Sequence, residues 1–157
     1  KGLIIGGGRL EEEIMKIISS EGLEDSIFLV GESDSVGSWL KKMDIFLLTS
    51  SSEGMPNVLI EAQGFGVPVI STDVGGVSEV VLDGETGILV KSDSPEEIGA
   101  IIAKLFSHDE RFQMGERAKI VSRKRNSIHK MIQTTGETYS RLLSVERGND
   151  ERVKFGK

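Results

Sequence analysis

The sequence predicts an α/β protein built on a doubly wound, mainly parallel sheet. Short apolar runs alternate along the chain with stretches of helical period, the pattern of βαβ units. Glycine or small polar residues follow the apolar runs, as at Gly6-Gly7-Gly8, Thr49-Ser50-Ser51-Ser52 and Gly75-Gly76. Ligands in open sheets of this class gather at such carboxyl ends of strands.

The elements follow in order. Residues 3–5 form the first expected strand, and a helix over 9–20 places Leu10, Ile14, Ile17 and Ile18 on one face. Gly22 ends that helix, and 27–30 is the second strand. A short helix over 36–43 carries Trp39 and Leu40 inward. Residues 45–48, 69–71 and 88–90 are the next strands, with a helix over 56–63 between the first two of them. Ser94 is suited to cap a helix with Pro95 at its first position and Glu96 and Glu97 in its first turn. That helix buries Ile98, Ile101, Ile102, Leu105 and Phe106. Two more helices follow over 109–122 and 127–143, the latter with a stripe of Ile128, Met131, Ile132, Tyr139 and Leu142. The expected domain spans 1–144, and 145–157 reads as a polar tail.

Bulk properties narrow the function. A chain of 157 residues is expected to form one domain. Its net charge of −6 gives no support to nucleic-acid binding or to an anionic membrane surface. Its apolar runs are far too short to span a membrane. Without cysteine there is neither a disulfide framework nor thiolate chemistry, which fits a reducing compartment. Lys1 enters a strand almost at once, without an initiating methionine or a signal pattern, so a piece of a longer protein is expected.

The stretch E-G-M-P-N-V-L-I-E carries the chemistry. Glu53 sits in the loop after the strand at 45–48, and Glu61 sits one to two turns into the following helix. Between them lie free N–H groups at a helix N-terminus, which suit an anion such as phosphate. Carboxylates only accept hydrogen bonds, so they suit hydroxyls on either side of the phosphate. Ribose, pyrophosphate and a second sugar in that order make a nucleotide sugar. The plainer alternative is an ordinary βα loop whose acidic residues complement the helix dipole.

Other candidates carry less. Gly6-Gly7-Gly8 fails the dinucleotide fingerprint, since the third glycine of that motif would fall at Glu11. It reads as a tight strand-to-helix turn. His108 and His129 have no partner at ligand or triad spacing and read as ordinary helix residues. No two aspartates are separated by a single residue; Asp83-Gly84-Glu85 comes nearest and reads as a turn.

Taken together, D-I-F-L-L-T-S-S-S-E-G-M-P-N-V-L-I-E-A at 44–62, G-V-P-V-I-S-T-D-V-G-G-V-S-E-V-V at 66–81 and D-G-E-T-G-I-L-V at 83–90 resemble the donor-binding half of GT-B glycosyltransferases, specifically the retaining family four. L-I-I-G-G-G-R-L-E-E-E-I at 3–14 and G-L-E-D-S-I-F-L-V-G-E at 22–32 fit the same pattern. The resemblance implies a Rossmann-like C-terminal half of a GT-B fold. It also implies transfer of a hexose from a UDP-, GDP- or ADP-sugar to an acceptor hydroxyl with retention, in polysaccharide or glycolipid synthesis. Glu53 would accept from hydroxyls of the transferred sugar and Glu61 from those of the ribose. Backbone amides of Gly54, Met55, Asn57 and Val58 would approach the sugar and pyrophosphate, and Gly31 and Glu32 would line the base pocket. Pro56 stands where many members have glycine and removes one donor. No cofactor or metal is expected, because the helix N-terminus takes the place of a cation at the leaving diphosphate.

The resemblance also implies pieces that the sequence does not contain. Family members carry a further strand and helix before the position of Lys1, with an arginine and a lysine that clamp the diphosphate. Arg9 matches a different place. The first strand of such a sheet lies near its middle, so a gap or rearrangement is expected between the strands at 3–5 and 45–48. The acceptor, a carbohydrate or lipid-linked molecule, would meet the donor against an N-terminal domain, so this chain alone would not turn over. The whole protein would be cytoplasmic or peripheral at the inner membrane. Two other readings are a different GT-B enzyme, such as a sugar epimerase or phosphorylase, and a non-catalytic nucleotide-binding or assembly module.

Overall fold

The strands pair in parallel throughout, in two sheets. β1 (Gly2–Ile5) pairs with β2 (Ile27–Gly31), and β3 (Phe46–Leu48) pairs with β4 (Val69–Thr72), which pairs in turn with β5 (Gly87–Val90). The computed structural model describes residues 1–91, 94–106 and 109–150, with side chains as far as 144. No described strand pairs with both β1 and β3. The chain forms two compact units, Lys1–Trp39 and the part from Leu40 onward.

In the first unit, α1 (Glu11–Ser20) follows β1. Of the face expected to be buried, Ile18 is buried and Ile14 half-buried, whereas Leu10 and Ile17 are exposed. The glycine turn is held to the second strand, since the Gly6 N–H donates to the Gly31 carbonyl at 2.8 Å. Gly22, with φ of +63°, ends α1 as expected. α2 (Val36–Leu40) is shorter than the sequence suggests. Its Trp39 indole N–H donates to the Ser33 hydroxyl at 3.1 Å, and Leu40 is buried completely.

In the second unit, α3 (Asn57–Gly64) joins β3 to β4, and α4 (Val77–Val80), a single turn not expected from the sequence, follows β4. α5 (Pro95–Phe106) and α6 (Glu110–Arg125) follow β5. The core comprises Ile70 and Val90 from the sheet, Ile98 and Leu105 from α5 and Met114 from α6. Ile45, Ile88, Ile101 and Ile102 pack against it. Burying such side chains is worth about 1.5–3 kcal/mol each. Ser94 caps α5 as expected, accepting the Glu97 N–H at 3.4 Å and donating to the Glu96 carboxylate at 2.7 Å. That second bond holds the Glu96 carboxyl below its usual range.

Two further expectations on the helices fail. Phe106 is exposed, not buried, and lies under the Arg111 guanidinium at 4.9 Å; Arg111 in turn pairs with Asp44 at 3.0 Å. The stripe on α7 (Ile128–Asp150) is exposed at every position from Ile128 to Leu142. α7 continues through Asp150, so the first part of the stretch read as a polar tail is helical; 151–157 lie outside the described residues. His108 lies outside them too, and His129 is exposed on α7.

α6 is clamped to the far end of α3. The Ser122 hydroxyl donates to the Ile60 carbonyl at 3.1 Å, and Gly115 is buried against the loop after α3, where a Cβ would overlap the Gly66 carbonyl oxygen. Gly115→Ala should therefore destabilise the protein by about 1–3 kcal/mol. Gly99→Ala, on an exposed stretch of α5 with open space around it, should stabilise by about 0.5–1 kcal/mol. Urea unfolding of the two variants beside the parent checks both signs.

Candidate functional site

The turn between β3 and α3 is built on backbone contacts. β3 and β4 are in register from Phe46↔Val69 to Leu48↔Ser71, so their carboxyl ends lie level and their following loops run side by side. The Thr72 hydroxyl donates to the Ser50 carbonyl at 2.6 Å, and the Gly76 N–H donates to the Gly54 carbonyl at 2.7 Å. Gly75 has φ of +55°, and a Cβ there would overlap the Glu53 carbonyl oxygen; one on Gly76 would lie 2.5 Å from the Gly54 carbonyl oxygen. Only glycine permits two backbones to approach this closely.

This packing places the expected residues as follows. Glu53 is half-buried in the loop after β3, and Glu61 is exposed on the fifth residue of α3. Pro56 is buried and occupies the N-cap with φ −74° and ψ 105°, one position earlier than a helix-starting proline. α3 has no side-chain cap and no acidic residue in its first turn. Among the described residues, no protein acceptor meets the N–H groups of Gly54, Met55, Asn57 or Val58. These are the four amides expected to meet a ligand, and all four residues are exposed or half-buried. The carboxylates of Glu53 and Glu61 likewise make no ion pair among the described residues.

The helix behind this turn is fixed from inside. Gln63 is fully buried, and its amide donates to the Leu59 carbonyl at 3.2 Å and the Val80 carbonyl at 3.3 Å. Its Oε1 has no partner among the described residues. No local pattern marks this role, because a glutamine on a helix ordinarily faces solvent.

Gly31 and Glu32 lie in the first unit. Gly31 closes β2 with φ of +75°, and the exposed Glu32 side chain lies beside the glycine turn, where a Cβ on Gly7 would be 3.4 Å from the Glu32 Cγ. Among the described residues, no group of three or more histidine, aspartate or glutamate side chains is placed to hold a metal ion, and no helix is long and apolar enough to cross a membrane.

Comparison with known proteins gives the family. The model of the family described as "Glycosyl transferases group 1" matches residues 1–124. The chain belongs to this family, and its structural neighbours are glycosyltransferases of the GT-B fold. It is 47% identical over 88 residues to the Vi polysaccharide biosynthesis protein VipC/TviE of Salmonella typhi, covering 56% of this chain and 15% of that protein. It is 32% identical over 141 residues to an uncharacterised glycosyltransferase of Methanocaldococcus jannaschii, covering 88% of this chain and 40% of that one. The crystal structure of Anabaena HepE in complex with UDP superposes with a TM-score of 0.83 at 23% identity, over 88% of this chain and 40% of that one. The chain thus spans well under half the length of these relatives. Its sheets are those of a Rossmann-like half, as the sequence predicts.

The glycine contact yields a test. Gly75→Ala adds a backbone overlap to an unfavourable φ, whereas Gly84→Ala, at φ of +73° with open space around it, adds only the conformational strain. The second change should cost about 1–2 kcal/mol. The first should cost about 1–3 kcal/mol more. Urea midpoints of the two variants measure the difference.

Proposed function

We propose that the full-length protein is a retaining hexosyltransferase that moves a hexose from a nucleoside diphosphate sugar to a hydroxyl of a carbohydrate or lipid-linked acceptor. The observation that carries this reading is the set of four unpartnered N–H groups at Gly54, Met55, Asn57 and Val58, bracketed by the carboxylates of Glu53 and Glu61. Such donors at a helix N-terminus fit a diphosphate, and the flanking carboxylates fit the hydroxyls on its two sides. Two printed likenesses support it: HepE is crystallised with UDP, and the Salmonella relative takes part in polysaccharide biosynthesis.

In this reading Glu53 positions the hexose and Glu61 the ribose. The bond from the anomeric carbon to the diphosphate oxygen breaks as charge develops on that oxygen. The α3 amides stabilise the charge without a metal ion. The incoming hydroxyl approaches the same face and gives its proton to the departing diphosphate, so retention needs no covalent enzyme intermediate. Turnover requires the acceptor-binding remainder of the longer protein, at work in the cytoplasm or on the inner face of the membrane. This chain alone is expected not to turn over.

Calorimetric titration of the full-length protein with UDP, GDP and ADP tests the reading. One of the three should bind selectively, and Glu61→Ala should weaken it by about 1.5–3 kcal/mol, roughly 10- to 100-fold. Absence of binding to all three would discard the donor role, and unchanged affinity in the variant would discard the ribose contact.

A further inference from the structure

A concavity lies in the same unit, lined by the stretches that lead into the glycine contact. It is a cavity of about 200 Å³ where the carboxyl ends of β3, β4 and β5 meet, lined among others by Thr49, Ser50, Ser51, Thr72, Asp73 and Lys91. Its floor is fixed: the Thr72 hydroxyl is committed to the Ser50 carbonyl at 2.6 Å, and the Asp73 N–H donates to the Val90 carbonyl at 2.9 Å. Its rim is not. Among the described residues the exposed Asp73 carboxylate and the exposed Lys91 ammonium make no hydrogen bond or ion pair.

Size and chemistry select the ligand class. A volume of about 200 Å³ is that of about seven water molecules, below the roughly 300–1,000 Å³ of sites that hold drug-sized ligands. It is of the size of one sugar ring. Asp73 can only accept, Lys91 can only donate, and the threonine and serine hydroxyls do both. A ring bearing several hydroxyls is the ligand that uses all three kinds of group. An apolar ligand would leave them desolvated and unpaired.

We propose that this cavity holds a sugar ring of the acceptor, with Asp73 and Lys91 gripping its hydroxyls. In one respect this rests on the donor reading: Ser51 and Asp73 each stand two residues before a member of the Glu53–Gly75 contact, so a ring here lies beside the hexose assigned to Glu53. The acceptor is then read in part by the half of the protein that binds the donor.

The test uses the full-length protein and the methyl glycosides of glucose, galactose, mannose and N-acetylglucosamine, titrated by saturation-transfer NMR with and without the nucleoside diphosphates. At least one glycoside should bind saturably. Asp73→Asn and Lys91→Met, both at exposed positions, should each weaken it by about tenfold or more while urea midpoints and nucleotide affinity stay at the parent values. Absence of binding by all four glycosides, or equal binding by parent and variants, overturns the proposal. Glycoside binding that depends on both residues, in a protein that binds none of the nucleotides, keeps the sugar subsite and removes the donor reading instead.

Discussion

The contact of the backbone at Glu53 and Gly54 with that at Gly75 and Gly76 is the constraint on which the turn between β3 and α3 depends. Parallel pairing of β3 with β4 brings two strand ends level, but it does not determine how their loops leave the sheet. The glycines do, because only without side chains can the second loop lie directly on the carbonyls of the first. Once those carbonyls are engaged, the chain between Gly54 and Asn57 has little freedom, and the start of α3 is set in place. The other end of α3 is held separately, through Ser122 on Ile60 and Gly115 against the loop at Gly66. A helix fixed at both ends can present uncapped amides without fraying toward a capped arrangement.

The division of labour between apolar and polar groups follows from the same geometry. Beneath the strand ends, Ile70, Val90, Ile98, Leu105 and Met114 exclude water and give the sheet its stability. Above them the polar groups of the loops include some tied to backbone, as at Thr72, and some left toward solvent, as at Asp73. Exposed donors and acceptors cost little when hydrated, so such a rim can be kept ready for a ligand at small expense in stability. Gln63 is the exception. Its amide nitrogen serves two carbonyls, but its buried oxygen serves none among the described residues, a cost accepted where α3 and α4 must be joined.

Most of the fold was legible from local pattern. Every expected strand is present within about one residue, the Ser94 cap forms, and Asp83-Gly84 turns as its composition requires, with Gly84 at positive φ. The failures are tertiary. Periodicity reports that a face is apolar, not that anything covers it, so Leu10, Ile17 and the α7 stripe read as core and are exposed. Phe106 was missed for the same reason, since an arginine from the next helix, and not the core, covers its ring. In the site, the motif around Glu53 and Glu61 pointed to the turn because its residues are adjacent in sequence. The cavity at Asp73 and Lys91 draws on three separate strand ends and gives no local signal.

Pro56 shows how sequence and chemistry meet at this turn. Serine, threonine, aspartate or asparagine at an N-cap folds its side-chain oxygen back onto the second or third helical N–H, worth about 0.5–2 kcal/mol to the helix. The Val58 amide, second in the helix, would then be occupied. Proline holds φ near −74° for the turn, buries its ring against the unit, and has no oxygen with which to compete. The helix forgoes its cap, and the amides of Asn57 and Val58 remain open at the positive end of the dipole. On the proposed donor reading, stability withheld from the free protein in this way would be recovered when a diphosphate supplies the missing acceptors. An uncapped start of α3 is therefore what the proposed donor site requires, and a stronger capping residue at position 56 would make a better helix and, on that reading, a poorer site.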